Sequence, residues 1–388
     1  MNNTMNKRHF KKSIIPLLGL CATLSFSACT EWTDVDNKVV EYPAITEQNP
    51  ELYAQYLTKL KEYKESEHKA MYVWFDNSIK DATHRSHHIN NVPDSVDVVV
   101  LNSPDSLISR ELEEMQELRD DKGTKIVYSI SLESIKADHN ALIEETEEAK
   151  DLAIEEATKK AEADLNAAKE AGNENAKLED FLNLEEIEKD FIIPEFEDFL
   201  TEALQDQIKI ANKYNYDGII VGYVGKGTLH MFPDEKKKYT ETENLFLGLI
   251  NSWIERNPEK MVIFEGKPQN LINKDILQIS KHIIISTHTA SNSANITFEV
   301  GTAIAEGIPV DRFIVTAQVP SLDPNKEEAG KWANGTLAIP STATWATGKF
   351  TYTIAGMGIL DVNTDYFTQP SIYTLTREAI NTLNPSLK

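Results

Sequence analysis

Tyr216-Asp217-Gly218-Ile219-Ile220-Val221-Gly222-Tyr223-Val224 is the stretch on which the fold turns. From Gly218 to Val224 it is apolar at nearly every position, the pattern of a strand buried on both faces of a parallel sheet. A helical stretch, Glu195–Tyr214, precedes it and starts directly after Pro194, a residue suited to a helix start. Working outward, the same kind of short run recurs at Ala70–Phe75, Val96–Leu101 and Lys125–Ile130 before it. Beyond it the run returns at Met261–Glu265, His282–Ser286, Arg312–Ala317 and Gly356–Val362. Helical stretches, among them Glu243–Arg256 and Thr297–Glu306, lie between several of these. Eight strands in β-α order over about 300 residues predict an α/β fold of the (β/α)8 TIM-barrel type. An open doubly wound sheet is the competing architecture, and usually has fewer strands, about five to seven.

Two segments lie outside that rhythm. Leu52 to Tyr63 has helical spacing (Leu52, Tyr56, Leu57, Leu60, Tyr63) and leads toward the first strand. Residues 138–190, after the third strand, are rich in Glu, Lys and Ala, and Gly172-Asn173 reads as a break between two helices. Only a thin small-residue stripe runs along the first half (Leu142, Ala149, Leu152, Ala153, Ala157, Ala161), which reads as a solvated helical insertion. A partner-docking arm is the sharper reading of the same segment.

A helix followed by Tyr216-Asp217-Gly218 and an apolar strand resembles the fourth strand of glycoside hydrolase family 18, the chitinases and endo-β-N-acetylglucosaminidases. Lys125-Ile126-Val127-Tyr128-Ser129-Ile130-Ser131 looks like that family's third strand. The resemblance covers roughly residues 70 to 385. It implies an Asp-Gly-x-Asp-x-Asp-x-Glu motif whose alternating acids point into the barrel mouth. The last Glu would protonate the glycosidic oxygen, and its neighbouring Asp would hold the substrate's acetamido group during substrate-assisted retention. In this chain Asp217 and Gly218 match, but the three acidic positions are Ile220, Gly222 and Val224. Shifting the register by one or two residues finds no replacements, so the family's mechanism has no acids to run on. Glu265, near the end of strand five, and Glu133, after strand three, are placed where a relocated acid could stand, but they read first as a mouth-lining hydrogen-bond partner or a salt bridge.

Other chemistries find little footing. Gly222 to Thr228 looks briefly like a phosphate loop, but Ile220 stands where its first glycine belongs and Gly227 where Ser or Thr should follow Lys226. The nine histidines include His87-His88 but show no metal-binding spacing with carboxylates. A Gly-x-Ser-x-Gly nucleophile elbow is absent from the sequence. Neither a metal nor a cofactor is expected.

The N-terminus carries an address. Lys7, Arg8, Lys11 and Lys12 precede an apolar run, Ile14 to Phe26, too short to span a bilayer and suited to a signal peptide. Phe26-Ser27-Ala28-Cys29 resembles the lipobox cut by the lipoprotein signal peptidase, which implies a signal over 1–28 and an acylated Cys29. Residues 29–50 read as a tether and 51–388 as the barrel domain. The acidic stretch after Cys29 resembles the export tag of surface lipoproteins in glycan-foraging gut bacteria, so the expected location is the outer membrane, on its outer face. Composition agrees with a soluble body: of 388 residues, 41% are hydrophobic and 26% charged. Removing the signal takes away four positive charges and no negative ones, moving the net charge from −23 to −27. Such a surface makes nucleic acid and anionic lipid poor partners. Cys21 leaves with the signal, so the folded part has no disulfide.

These readings converge on glycan capture: a family-18-like lipoprotein that binds N-acetylglucosamine-containing oligosaccharides near a TonB-dependent transporter. An active endoglycosidase with relocated acids, and a structural or protein-binding lipoprotein, are the alternatives. Sites in such barrels form at the C-terminal ends of the strands. The expected ligand-binding residues are therefore Trp74 and Asp76 after strand one, Tyr223, His230 and Phe232 at and after strand four, and Glu265 and Gln269 around strand five. His288 follows strand six and Gln318 ends strand seven, while Trp332 and Trp345 lie in a Gly- and Thr-rich segment expected to loop over the mouth.

Overall fold

The computed structural model describes residues 49–326 and 328–385, so the signal peptide, Cys29 and nearly all of the tether lie outside the described residues. The chain divides into two units, residues 1–50 and 51–388, and the second carries everything below. Eight strands close into one parallel barrel in sequence order, β8 pairing with β1. They are β1 (Ala70–Phe75), β2 (Val98–Leu101), β3 (Lys125–Ser131), β4 (Gly218–Tyr223), β5 (Met261–Gly266), β6 (Ile283–Ile285), β7 (Phe313–Gln318) and β8 (Ile354–Leu360). This is the expected (β/α)8 barrel, with each strand end within two residues of its sequence-based position.

Alternation along each strand sorts the side chains into two cores. Tyr72, Val98, Val100, Val127, Ile220, Ile263, Ile284 and Ile314 point inward and fill the barrel. Their neighbours, such as Val73, Val99, Tyr128, Val221, Phe264 and Val315, point outward under the helices and join the larger core. Each fully buried aliphatic or aromatic side chain of this kind contributes about 1.5–3 kcal/mol. Continuous apolar strands are the sequence's record of having both faces buried.

The helices that matter for the site follow from this frame. α1 (Pro50–Glu65) lies at the N-terminal end of the barrel, where Lys64 Nζ donates to Val96 O at 2.6 Å and Thr124 Oγ1 at 2.5 Å. α2 (Ser109–Lys122) follows β2. α3 (Leu132–Glu170) is one 39-residue helix that starts at the end of β3, capped by Ser131, rather than the shorter helix expected from residue 138. The break does fall at Gly172, whose φ of 95° is a left-handed conformation that glycine adopts without strain. Past a short helix, α4 (Leu184–Glu188), the chain returns to α5 (Phe196–Lys213). His139 Nε2 meets Pro194 O at 2.9 Å, so the excursion leaves and rejoins the barrel at one place.

α6 (Pro233–Arg256) begins ten residues before the expected Glu243, because its first turns are charged and show no apolar stripe. α7 (Asp275–Ile279) and α8 (Ser293–Thr302) follow β5 and β6. α9 (Ala338–Ala346) follows β7, and α10 (Val362–Asp365) and α11 (Thr374–Leu383) complete the ring. No helix among the described residues is long and apolar enough to cross a membrane.

Candidate functional site

The Asp-Gly pair that opens β4 has architectural work at the N-terminal end of the strand. Asp217 Oδ2 accepts from Arg119 Nε at 2.7 Å and from the Ile126 amide at 2.9 Å, tying α2 and β3 to β4. A Cβ on Gly218 would come within 2.0 Å of Met261 O, so only glycine lets β5 approach. Toward the C-terminal end the inward positions are Ile220, sealed in the barrel core, Gly222, and Val224 at the rim. A Cβ on Gly222 would lie 2.9 Å from Ser131 Cβ, so β3 already occupies part of that space. β4 thus sends no carboxylate into the mouth.

A carboxylate does reach it from the next strand. Glu265 shares the inward parity of Ile263 and pairs in register with Gly222. Burial pushes its carboxyl up to about 7, opposed only by the Ser286 hydroxyl, which donates to Oε1 at 3.4 Å. A neutral carboxyl there both donates and accepts hydrogen bonds, which suits it to sugar hydroxyls. Glu133 is engaged elsewhere, its Oε1 accepting from the Gly225 amide at 3.0 Å and bracing the turn after β4.

The mouth opens into a cavity of about 450 Å³ beside the ends of β1–β3, lined by Trp74, Asn102, Ser129, Ser131, Asp138 and Gln207. Trp74 forms its aromatic wall, and its indole lies where any side chain at position 358 would be, 2.5 Å from a Cβ built on Gly358. Apart from Trp74 none of these lining residues was among the expected ligands. The signal was present in β3, where Ser129 and Ser131 interrupt an apolar strand at the inward parity. A recess of about 240 Å³ near β6 is lined by Ser286, Thr287, Asn295 and Phe298 among others.

The remaining expected residues divide. Gln318 faces inward at the end of β7 and donates to Asp361 Oδ2 at 2.6 Å. His288 is half-buried nearby; burial lowers its pKa, against the Asp361 carboxylate, which raises it. Asp76 is exposed, its Oδ1 taken by the Ser78 amide at 2.9 Å. His230 and Phe232 stand on the exposed loop after β4, with Phe232 78% accessible and Leu229 86%. Gln269 turns toward Thr302 Oγ1, 3.5 Å away at the end of α8.

Two expectations are corrected by the structure. Tyr223 faces outward: it is 1% exposed, donates to Glu243 Oε2 at 2.6 Å and lies 2.7 Å from the Tyr239 hydroxyl. A residue next to inward-facing Gly222 has to point the other way. Trp345 is not in a loop over the mouth but in α9, packed on Phe350 at 4.7 Å with its indole N–H donating to Thr297 Oγ1 at 3.1 Å. Trp332 is in the β7–α9 connection, as expected, but its ring is half-buried against the main core.

The barrel has relatives. The solved structure of a selenomethionine BT1044 variant superposes with a TM-score of 0.52 at 16% identity, covering 88% of this chain and 95% of its own. An endo-β-N-acetylglucosaminidase from Cordyceps militaris superposes with a TM-score of 0.51 at 14% identity, covering 85% of this chain and 95% of its own. At these identities the likeness speaks for the fold. No curated protein matches the chain. The family described as "Glycoside hydrolase family 18, BT1044-like" matches residues 33–382, nearly the whole barrel domain, and with the Asp-Gly pair in place at the start of β4 the chain belongs to that family.

Proposed function

We propose that this protein captures N-acetylglucosamine-containing oligosaccharides at the C-terminal mouth of its barrel and does not cleave them by the family's mechanism. One observation carries the reading. The half of the β4 motif that holds the barrel together, Asp217 and Gly218, is intact, while the half that does chemistry is Ile220, Gly222 and Val224. What is left in the mouth suits binding: an indole face on Trp74, the hydroxyl and amide groups of Ser129, Ser131 and Asn102, and the carboxyl of Glu265. Sugar C–H faces stack on aromatic rings while a few placed polar groups fix their orientation. The signal-like N-terminus and the acidic residues after Cys29 support a lipid-anchored protein on the cell surface, serving uptake beside a TonB-dependent transporter.

A second reading rests on Glu265, whose carboxyl, raised to about 7, is poised as a proton donor. Against it stands the absence of any β4 acid to hold the acetamido group. A general acid supplies about 10²–10⁴-fold in rate, so the donor alone falls far short of a working hydrolase. The test is prolonged incubation with chitooligosaccharides and N-glycans, alongside a glycan-array binding measurement. Binding without product is expected, with Trp74→Ala weakening affinity about two- to tenfold, the scale of one stacking platform. Enzyme-dependent product that survives repurification and disappears in Glu265→Gln would establish the hydrolase instead. Absence of binding to every glycan would leave the structural lipoprotein.

A further inference from the structure

A cavity of about 750 Å³ is at the opposite end of the barrel from the mouth, among α1, the starts of β1–β3 and the turn before β6. That volume lies in the range of small-molecule sites, about 300–1,000 Å³. On its floor Tyr72 and His282 meet, the tyrosine hydroxyl 2.7 Å from Nδ1. Tyr72 is fully buried and has no other partner among the described residues. If Nδ1 carried the ring proton, the hydroxyl proton would be stranded in the core, at a cost of about 1–3 kcal/mol. Tyr72 therefore donates to Nδ1. Burial lowers the His282 pKa to about 4, so the ring is neutral and its single N–H is on Nε2. Nε2 has no protein acceptor among the described residues, nor is it one of the buried orphaned atoms, so it opens on the cavity.

Positive charge converges on the same space. Lys64 Nζ uses two of its protons on Val96 O and Thr124 Oγ1, leaving the third. Lys61 and Lys281 stand exposed at the rim with no ion pair among the described residues. Four carboxylates share the lining: Asp97, which accepts from the Met71 amide at 2.7 Å and meets His68 at 3.0 Å, Asp120, which accepts from Gln116 at 2.8 Å, and Glu65 and Glu67 at the exposed edge.

We propose that this N-terminal cavity binds an oxyanion carried on a small molecule, a phosphate or sulfate ester of monosaccharide size, received by His282 Nε2–H and the ammonium groups of Lys281, Lys64 and Lys61. The site is separate from the mouth and does not depend on what the mouth binds. It is tested by calorimetry of the purified protein at constant ionic strength with glucose 6-phosphate, inorganic phosphate and glucose. Saturable binding of glucose 6-phosphate and none of glucose is expected. Phosphate binding more weakly places the anion on an organic carrier, and binding equally well identifies the free ion as the ligand. Lys281→Ala and Lys61→Ala, both exposed positions that leave the fold intact, should each weaken binding about five- to tenfold, while Lys236→Ala on α6 should not. In parallel, the ¹⁵N resonance of His282 Nε2 should shift on titration. Failure of both anions to saturate, or affinity unchanged in Lys281→Ala and Lys61→Ala with no His282 shift, overturns the site and makes the cavity a feature of barrel stability alone.

Discussion

Glu265 links the mouth to the stability of the whole chain. Its carboxyl is raised from 4.5 to about 7 by burial, so the folded protein holds that proton more tightly than the unfolded one does. Stability contributed at this position is therefore present below about pH 4.5, falls as pH rises to about 7, and stays low above it. Glu265→Gln removes the titration while keeping the shape. The variant should match the parent near pH 4 and exceed it at pH 8 by roughly 1–3 kcal/mol, allowing for the carboxyl's partial contact with solvent. Urea unfolding at the two pH values checks this, and a parent–variant difference that does not change with pH refutes it. The sequence shows Glu265 at a strand end but not its raised pKa, which comes from burial in the folded barrel, opposed by the Ser286 hydroxyl. Tyr223 marks the opposite case. Once positions 220, 222 and 224 are taken as inward, the two-residue period of a strand already sends 223 outward. Its Glu243 partner, 20 residues on, is visible only in the fold.

Among the elements, the strands were readable because a parallel barrel buries both faces and leaves uninterrupted apolar runs. The helix ends were less so where charge or composition hid them. α6 begins in Asp-Glu-Lys-Lys-Lys, and Trp345 occupies α9 although Thr, Pro and Gly around it suggest a loop. α3 shows how an insertion can be long without burdening the barrel. Its 39 residues span about 58 Å at helical rise, yet its buried positions near the barrel are Leu132, Ile135 and His139, all in the first two turns or just beyond. With His139 bonded to Pro194 and its ring 5.4 Å from Phe196, the base is closed before the excursion begins. Replacing residues 143–190 with a short Gly-Ser linker should therefore leave a cooperatively folding barrel. Loop-closure entropy changes slowly with length, so stability should stay within about 1 kcal/mol of the parent. Loss of a cooperative thermal transition would show instead that the arm is part of the folding unit. Unchanged folding with altered glycan binding would assign it to the ligand.

At the scale of the molecule, charge and anchoring pull in different directions. The chain carries a net −23, or −27 without residues 1–28, and such a body is repelled by an anionic membrane surface. No helix among the described residues is long and apolar enough to hold it in a bilayer. We infer that membrane attachment depends on acylated Cys29, with the 21 residues from Thr30 to Pro50 giving a reach of at most about 70 Å when extended. Two consequences separate this from electrostatic adsorption. An acyl anchor is indifferent to ionic strength, whereas charge-mediated binding weakens as the Debye length shrinks to about 3 Å at 1 M salt. The parent protein should accordingly stay in the membrane fraction through a 1 M salt wash, and Cys29→Ala should move it to the soluble fraction with the barrel's thermal transition unchanged. On intact cells the parent should be digested by added protease, as the proposed capture of external glycans requires. Protection on intact cells combined with digestion after lysis would place the protein inside the outer membrane, and the glycans it meets would then be those already imported.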